Sequence, residues 1–361
     1  MLTLISFLAV ISLLAFVHEL GHFLAAKLSG VKVEEFGIGF PPRVFSFRRG
    51  ETLYSLNLLP LGGFVRLLGE EGRVAQSLEK RAFYAQPIGR KIPIILGGVL
   101  MNFLLALVLL AFFFARYGEP RVTYFLQIEE VKDKTPAAAM GLKKGDKIRA
   151  FRLEENKEWQ LIQQPEEFTQ FLQNNSGNFI YLLLQKESKK EVKSGWMRYP
   201  AEAAGEAVSI LGIVYRPFPQ INYRRVSLIA VPRLTLLTSF NLVKESLRGL
   251  KRMLSFFWYK RQLSPEITGP IGIARITGIT VREGGDMLIH FVALLSLSLA
   301  IFNILPFPAL DGGRLVLALA EFFFRRQLNL KWQRWINALG LAILLLFMLY
   351  VTFWDLQRWF F

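Results

Sequence analysis

The sequence predicts a polytopic α-helical membrane protein, with about four transmembrane helices and an inserted α+β soluble domain. Three observations predict it. The 361 residues are 52% hydrophobic, include 32 phenylalanines and have a mean hydropathy of +0.33, which is more apolar than a soluble protein of this size. Four apolar runs, near 2–27, 93–115, 286–306 and 336–354, can each cross about 30 Å of hydrocarbon, a thickness that takes about 20 helical residues. Between the second and third runs, about 120–217 reads as short strands and a helix.

The first run lacks a basic leader region and carries ionisable residues in its far half, so a retained span is expected rather than a cleaved signal. Those residues read His18-Glu19-Leu20-Gly21-His22, and the sixteen positions before them from Leu2 carry no charge. Two imidazoles four apart share one face of a helix, where both can grip one zinc ion. Glu19 can then serve as general base toward a water at the metal. Ionisable groups at membrane depth cost roughly 2.5–3.5 kcal/mol each on insertion scales, so they usually serve function. This points to a hydrolase whose site lies within the bilayer. Cysteine is absent and there are three histidines, His18, His22 and His290. Any metal must therefore use imidazole and carboxylate ligands.

The net charge of +16 fits anionic lipid and cytoplasmic loops better than nucleic acid, because no basic tract is interleaved with stacking aromatics outside the apolar spans and their amphipathic neighbours. Lysine and arginine crowd segment 29–92 (Arg43, Arg48, Arg49, Arg66) and segment 307–335 (Arg314, Arg325, Arg326). Both connections are expected in the cytoplasm, with both termini and 116–285 outside. His18 then lies roughly 25 Å along the first helix, toward the cytoplasmic leaflet. The third span also runs inward and ends in Asn303-Ile304-Leu305-Pro306-Phe307-Pro308-Ala309-Leu310-Asp311-Gly312-Gly313. Asp311 is therefore the natural third ligand. Pro306 and Pro308 end the helix and let it turn toward the metal. His290 begins the same span, about 30 Å from Asp311 if helical, and is expected at the outer interface.

Within the insert, strands are expected at Thr123–Glu130, Lys147–Leu153, Phe179–Gln185 and Ala207–Tyr215, with a helix near Pro165–Asn174. Residues Thr135 through Ile148 resemble the signature of bacterial PDZ domains, which bind extended peptides at a sheet edge; a spacer without a ligand is the alternative. Residues 233–261 form a basic amphipathic stretch that suits a helix on the membrane surface or against protein. The expected division is 1–28 for the first span, 29–92 for a cytoplasmic loop with a re-entrant hairpin, 93–116 for the second span and 120–217 for the PDZ-like domain. Then follow 218–285 for the amphipathic helix and connector, 286–306 for the third span with its 310–313 motif, and 336–354 for the fourth.

Leu58–Leu68 alternates poorly and holds Gly62 and Gly63 shortly after Pro60. This suits a tight hairpin dipping into the bilayer, its edge free to pair with an unwound substrate. An ordinary cytoplasmic turn is the alternative.

In order along the chain, Phe16–Phe23, Phe36–Phe40, Leu59–Val65, Gly97–Phe103, the PDZ signature, Gly269–Ala274 and Asn303–Gly313 resemble the bacterial RseP-like site-2 proteases of peptidase family M50. The resemblance implies an intramembrane zinc metalloendopeptidase of the bacterial inner membrane. It implies zinc held by His18, His22 and Asp311, with Glu19 as the base. It also implies hydrogen bonds from Asn102 and Asn303 to the substrate backbone, although bonding between helices would use the same amides. Expected substrates are single-span membrane proteins or peptides such as anti-sigma factors and remnant signal peptides. The departures are an insert with room for about one PDZ domain where well-studied members have two, and Gly97-Gly98 in place of glycine-proline. A non-catalytic scaffold has no need of Glu19, and a zinc carrier would show repeated halves, which this chain lacks.

Overall fold

The computed structural model of the protein describes residues 2–70, 72, 74–154, 158–175, 179–185, 192–198, 211–260, 268–326 and 328–360. In chain order it contains α1 (Leu2–Leu28), β1 (Val33–Arg49), β2 (Thr52–Leu67), α2 (Ile88–Arg116), β3 (Glu119–Val131), α3 (Pro136–Ala139), β4 (Lys147–Leu153), β5 (Gln160–Leu161), α4 (Pro165–Asn174), β6 (Phe179–Gln185), β7 (Val192–Arg198) and β8 (Ile213–Arg224). Then come α5 (Val231–Lys260), α6 (Pro270–Glu283), α7 (Gly285–Asn303), α8 (Asp311–Phe323) and α9 (Leu330–Phe360). Contacts divide the chain into two units, 1–116 with 226–361, and 117–225.

Among the described residues, four helices of the first unit are long and apolar enough to cross a membrane: Leu2–Leu28, Ile88–Arg116, Gly285–Asn303 and Lys331–Gln357. Many of their large side chains point outward, as with Leu4, Val108 and Leu349, which suits a lipid surround. Beside apolar residues such as Leu14, Leu110 and Phe113, the helices also turn small and polar residues inward. At the α1–α2 crossing, a Cβ added to Gly21 would lie 2.1 Å from the Gly97 carbonyl oxygen, so only a glycine pair permits this approach. Ser296 Oγ of α7 donates to the Asn102 carbonyl of α2 at 2.7 Å. Lys91 of α2 meets Glu321 of α8 at 2.9 Å.

The Gly269-Pro270-Ile271-Gly272 motif opens α6, with Pro270 at the first turn, where its missing N–H costs nothing. The Gly272 N–H, which has no partner inside its own helix, donates to Asp355 Oδ2 of α9 at 2.9 Å. A Cβ on Gly269 would stand 2.8 Å from that same oxygen, which accounts for the glycine.

Where the hairpin around Gly62 and Gly63 is expected, the chain reverses between Leu56 and Gly63, since Leu53–Leu56 runs parallel to Glu35–Ile38 and Gly63–Arg66 antiparallel to it. It also reverses at Gly50 and Glu51, and β2 as a whole runs through both glycines. The ladder is irregular: Glu35 to Ile38 face Leu53 to Leu56 on one side and Arg66 to Gly63 on the other. One central segment thus has two neighbours drawn from the same strand, and the alternation along Leu58–Leu68 is lost because the strand bends around it. Glu35 is buried inside this curl, where it accepts from Arg43 at 2.7 Å and Ser55 at 2.8 Å.

The second unit is a sheet of order β7-β6-β4-β3-β8, with β5 beside β4. Its core is a dry cluster that includes Leu126, Ile128, Ile148, Phe151, Phe168 and Leu172. The short helix α3 leads through Gly141 and Gly145, both at positive φ, into β4. Of the strand expected at 207–215, residues 207–210 lie outside the described residues, and β8 continues to Arg224.

Candidate metal centre

The site is built by α1, α2 and the start of α8. His18 and His22 face one another one turn apart, their Nε2 atoms 3.2 Å from each other. Asp311 opens α8, and its Oδ2 lies 3.2 Å from His18 Nε2 and 3.4 Å from His22 Nε2. The glycines after it are required. A Cβ on Gly312 would lie 2.2 Å from the carbonyl oxygens of Ile304 and Leu305, and one on Gly313 2.2 Å from that of Phe307. The loop that ends α7 therefore packs directly on the first turn of α8 and delivers the carboxylate to the imidazoles.

The three ligand atoms lie within 4.8 Å of one another, and this is the one such group among the described residues. Ligands of a tetrahedral zinc ion, at about 2.0–2.1 Å from the metal, stand about 3.3 Å apart. The three separations found here match the edges of that tetrahedron. Asp311 Oδ2 is buried with no hydrogen-bond partner; a buried carboxylate oxygen against two imidazole nitrogens calls for a cation at their centre. His22 Nδ1 lies 2.8 Å from the Ile94 carbonyl oxygen. A carbonyl only accepts, so Nδ1 carries the proton and the Nε2 lone pair is left free for a metal.

Gly98 explains why both imidazoles fit. A Cβ there would lie 2.4 Å from His22 Nε2 and 2.5 Å from His18 Cε1. The pair Gly97-Gly98 thus performs two tasks, one toward the α1 backbone and one toward the rings.

Glu19, Asn303 and Arg314 line a cavity of about 240 Å³ together with the two histidines and Asp311. A Cβ on Gly63 would stand 3.2 Å from Glu19 Cγ, so β2 runs alongside the carboxylate. Arg314 closes the rim by pairing with Glu70 at 2.8 Å. Gly62, at φ 149°, bends the same strand. Asn102 is fully buried and does not line the cavity; its amide turns to His18. His290 stacks on Phe113 with ring centroids 4.9 Å apart, away from this cluster. The Ile94 carbonyl and the Glu70–Arg314 pair lay beyond sequence reasoning, since a backbone acceptor carries no residue signature and Glu70 is remote in sequence from Arg314.

Peptidase family M50 matches residues 6–347 of the chain. A protein of Clostridium perfringens is 32% identical over 353 residues, 96% of each chain. The zinc metalloprotease RasP of Geobacillus kaustophilus is 30% identical, covering 99% of this chain and 98% of its own. The regulator of sigma-W protease RasP of Bacillus subtilis is 27% identical over 99% of each. The chain therefore belongs to peptidase family M50, the site-2 protease family of intramembrane zinc metalloproteases.

Proposed function

We propose that His18, His22 and Asp311 hold the catalytic zinc, and that Glu19 is the general base for hydrolysis of peptide bonds in or near single membrane-spanning segments. The observation that carries this reading is the near-equilateral set of Nε2, Nε2 and Oδ2 atoms, 3.2–3.4 Å apart, around an otherwise unsatisfied carboxylate oxygen. Zinc in that position supplies Lewis-acid polarisation of the scissile carbonyl and acidifies water. Glu19, on the cavity wall, takes the proton of the attacking water and passes it to the leaving nitrogen.

A substrate helix cannot be cut while its carbonyls are held in i→i−4 bonds, so it must be extended at the site. The Gly63–Arg66 edge of β2 pairs with β1 on one side only. With Gly62 and Gly63 keeping that edge free of side chains beside Glu19, it can take an unwound strand. Asn303, at the end of α7 and on the cavity wall, donates to the substrate backbone.

The 120–217 insert is a PDZ-like filter or dock outside the membrane, supported by the α3–glycine turn–β4 arrangement. Both termini share that side, and the basic connections and the metal face the cytoplasm. Substrates of this kind include anti-sigma factors, consistent with the name of the Bacillus subtilis relative, and remnant signal peptides.

Glu19→Gln tests the assignment. The variant is expected to keep stoichiometric zinc and to lose cleavage of a model single-span substrate by at least about a thousandfold, the upper range for removal of a general base. Persistent cleavage would remove Glu19 from the mechanism.

A further inference from the structure

We propose that Asn102 is a positioning residue for the metal: its side-chain carbonyl accepts a hydrogen bond from His18 Nδ1–H and fixes the tautomer that presents Nε2 to zinc. This rests on the reading of His18 as a ligand. His18 Nε2 is committed to the cluster, 3.2 Å from both Asp311 Oδ2 and His22 Nε2. A neutral imidazole that gives one nitrogen to a metal carries its proton on the other, and that N–H requires an acceptor when buried.

The group beside His18 Nδ1 is the Asn102 amide, 3.4 Å away. Its Nδ2 faces the ring while its Oδ1 is buried without a partner. An amide nitrogen meeting a ring N–H sets donor against donor. A half-turn of the amide exchanges the two atoms without changing its shape. It brings the unpartnered carbonyl oxygen onto the ring N–H.

The backbone holds Asn102 in place for this. Its own carbonyl accepts from Ser296 Oγ of α7 at 2.7 Å. It lies one helical turn after Gly98 on the α2 face that meets α1. Gly98 clears the volume the two rings occupy, and Asn102 sets the direction in which one of them points. The two ligand histidines are thereby oriented in different ways, His22 by the backbone carbonyl of Ile94 and His18 by a side chain. Since Asn102 is fully buried and off the cavity wall, substrate contact falls to Asn303.

The experiment is a zinc competition against a chromogenic chelator, using the full-length protein in detergent micelles, for wild type, His18→Ala, Asn102→Leu and Asn102→Asp. Asn102→Leu is expected to weaken zinc binding about tenfold to a hundredfold, the usual cost of a lost partner behind a ligand histidine. Asn102→Asp, which keeps the size and offers only acceptors, is expected to bind within about threefold of wild type or tighter. A merely structural role would not be rescued by introducing a buried charge. Wild-type zinc affinity in Asn102→Leu, or equal weakening in both variants, overturns the proposal. So does a raised KM with unchanged zinc affinity, which would mark Asn102 as a substrate contact. If His18→Ala keeps wild-type zinc affinity, the ligand reading itself fails, whatever the Asn102 variants do.

Discussion

The two units of the chain differ in what they expose and in how much polar chemistry they bury. In the second unit the large apolar residues are dry, with Leu126, Phe151 and Phe168 fully buried around one sheet. In the first unit Leu4, Val108 and Leu349 are exposed, while His18, His22, Asp311, Asn102, Ser296 and Asp355 lie inside. The hydrophobic effect selects the core of the former. Lipid is as apolar as leucine, so the latter is held by close side-chain packing, backbone approach, buried hydrogen bonds and ion pairs. Substitutions should therefore act through opposite chemistry in the two units: adding one methyl harms the first, and removing apolar volume harms the second.

The largest effect is expected from Gly98→Ala. The new Cβ would stand 2.4 Å from His22 Nε2 and 2.5 Å from His18 Cε1, so the rings or the α1–α2 spacing must shift by about an ångström. Cleavage of a model membrane substrate should fall by about a hundredfold or more, with loss of bound zinc measured on the purified protein. Full activity with full zinc content would show that the α1–α2 contact is looser than the geometry states.

The mirror-image test is Phe151→Ala. Phe151 is 1% exposed and stacks on Phe171 with centroids 4.1 Å apart. Truncation should destabilise the second unit by about 3–5 kcal/mol, visible as increased proteolytic nicking within 117–225. Zinc content, which the proposed ligands place in the first unit, should not change. Loss of both together would mean that the units do not hold their cores independently.

The same contrast explains what could be read from the chain beforehand. The spans were legible because uninterrupted apolar length has one physical reading. His18 and His22 were legible because i,i+4 spacing fixes a shared helix face, and Asp311 because helix rise fixes its depth. Strand β4 and helix α4 also came through, since alternation and a proline at the helix start are local signals. What lay hidden was non-local. Gly62 and Gly63 mark a reversal of the chain, but nothing local says that Gly63 then pairs with Ile38. Gly97-Gly98 looked like a mild variation until the rings of α1 were set against it. Asp355 carries no local hint that its partner is the N–H of Gly272, 83 residues away.

That carboxylate provides the next test. Asp355 is 3% exposed and accepts the otherwise unpartnered Gly272 N–H. Asp355→Leu leaves the first turn of α6 without its acceptor in a buried setting. A charge-assisted hydrogen bond of this kind contributes about 1.5–3 kcal/mol, and the loss should appear as a lowered Tm of the full-length protein in micelles. Asp355→Asn retains an acceptor and should lose less. Equal losses in the two would show that charge, not the hydrogen bond, is what α6 requires.

The smallest effect is expected where the first unit meets water. Glu51, at the β1–β2 turn, accepts from Arg81 Nη2 at 2.8 Å and Lys27 Nζ at 3.0 Å. The Arg81 hydrogen bond, supported by Lys27 and opposed by partial desolvation, pulls its carboxyl down to about 2. A carboxylate depressed in the folded state stabilises fully above its unfolded value of about 4.3, and that contribution is lost as pH falls from there through about 2. The partners are largely solvated, so the contribution should stay below about 1 kcal/mol. In thermal unfolding of wild type against Glu51→Gln, a small gap at pH 6 should narrow as pH falls through about 2 and shrink with added salt. A gap that widened toward low pH would reverse the sign of the interaction. A gap of several kcal/mol at pH 6 would mean that this unit leans on its wet rim as heavily as on the glycine contacts beside its candidate metal centre.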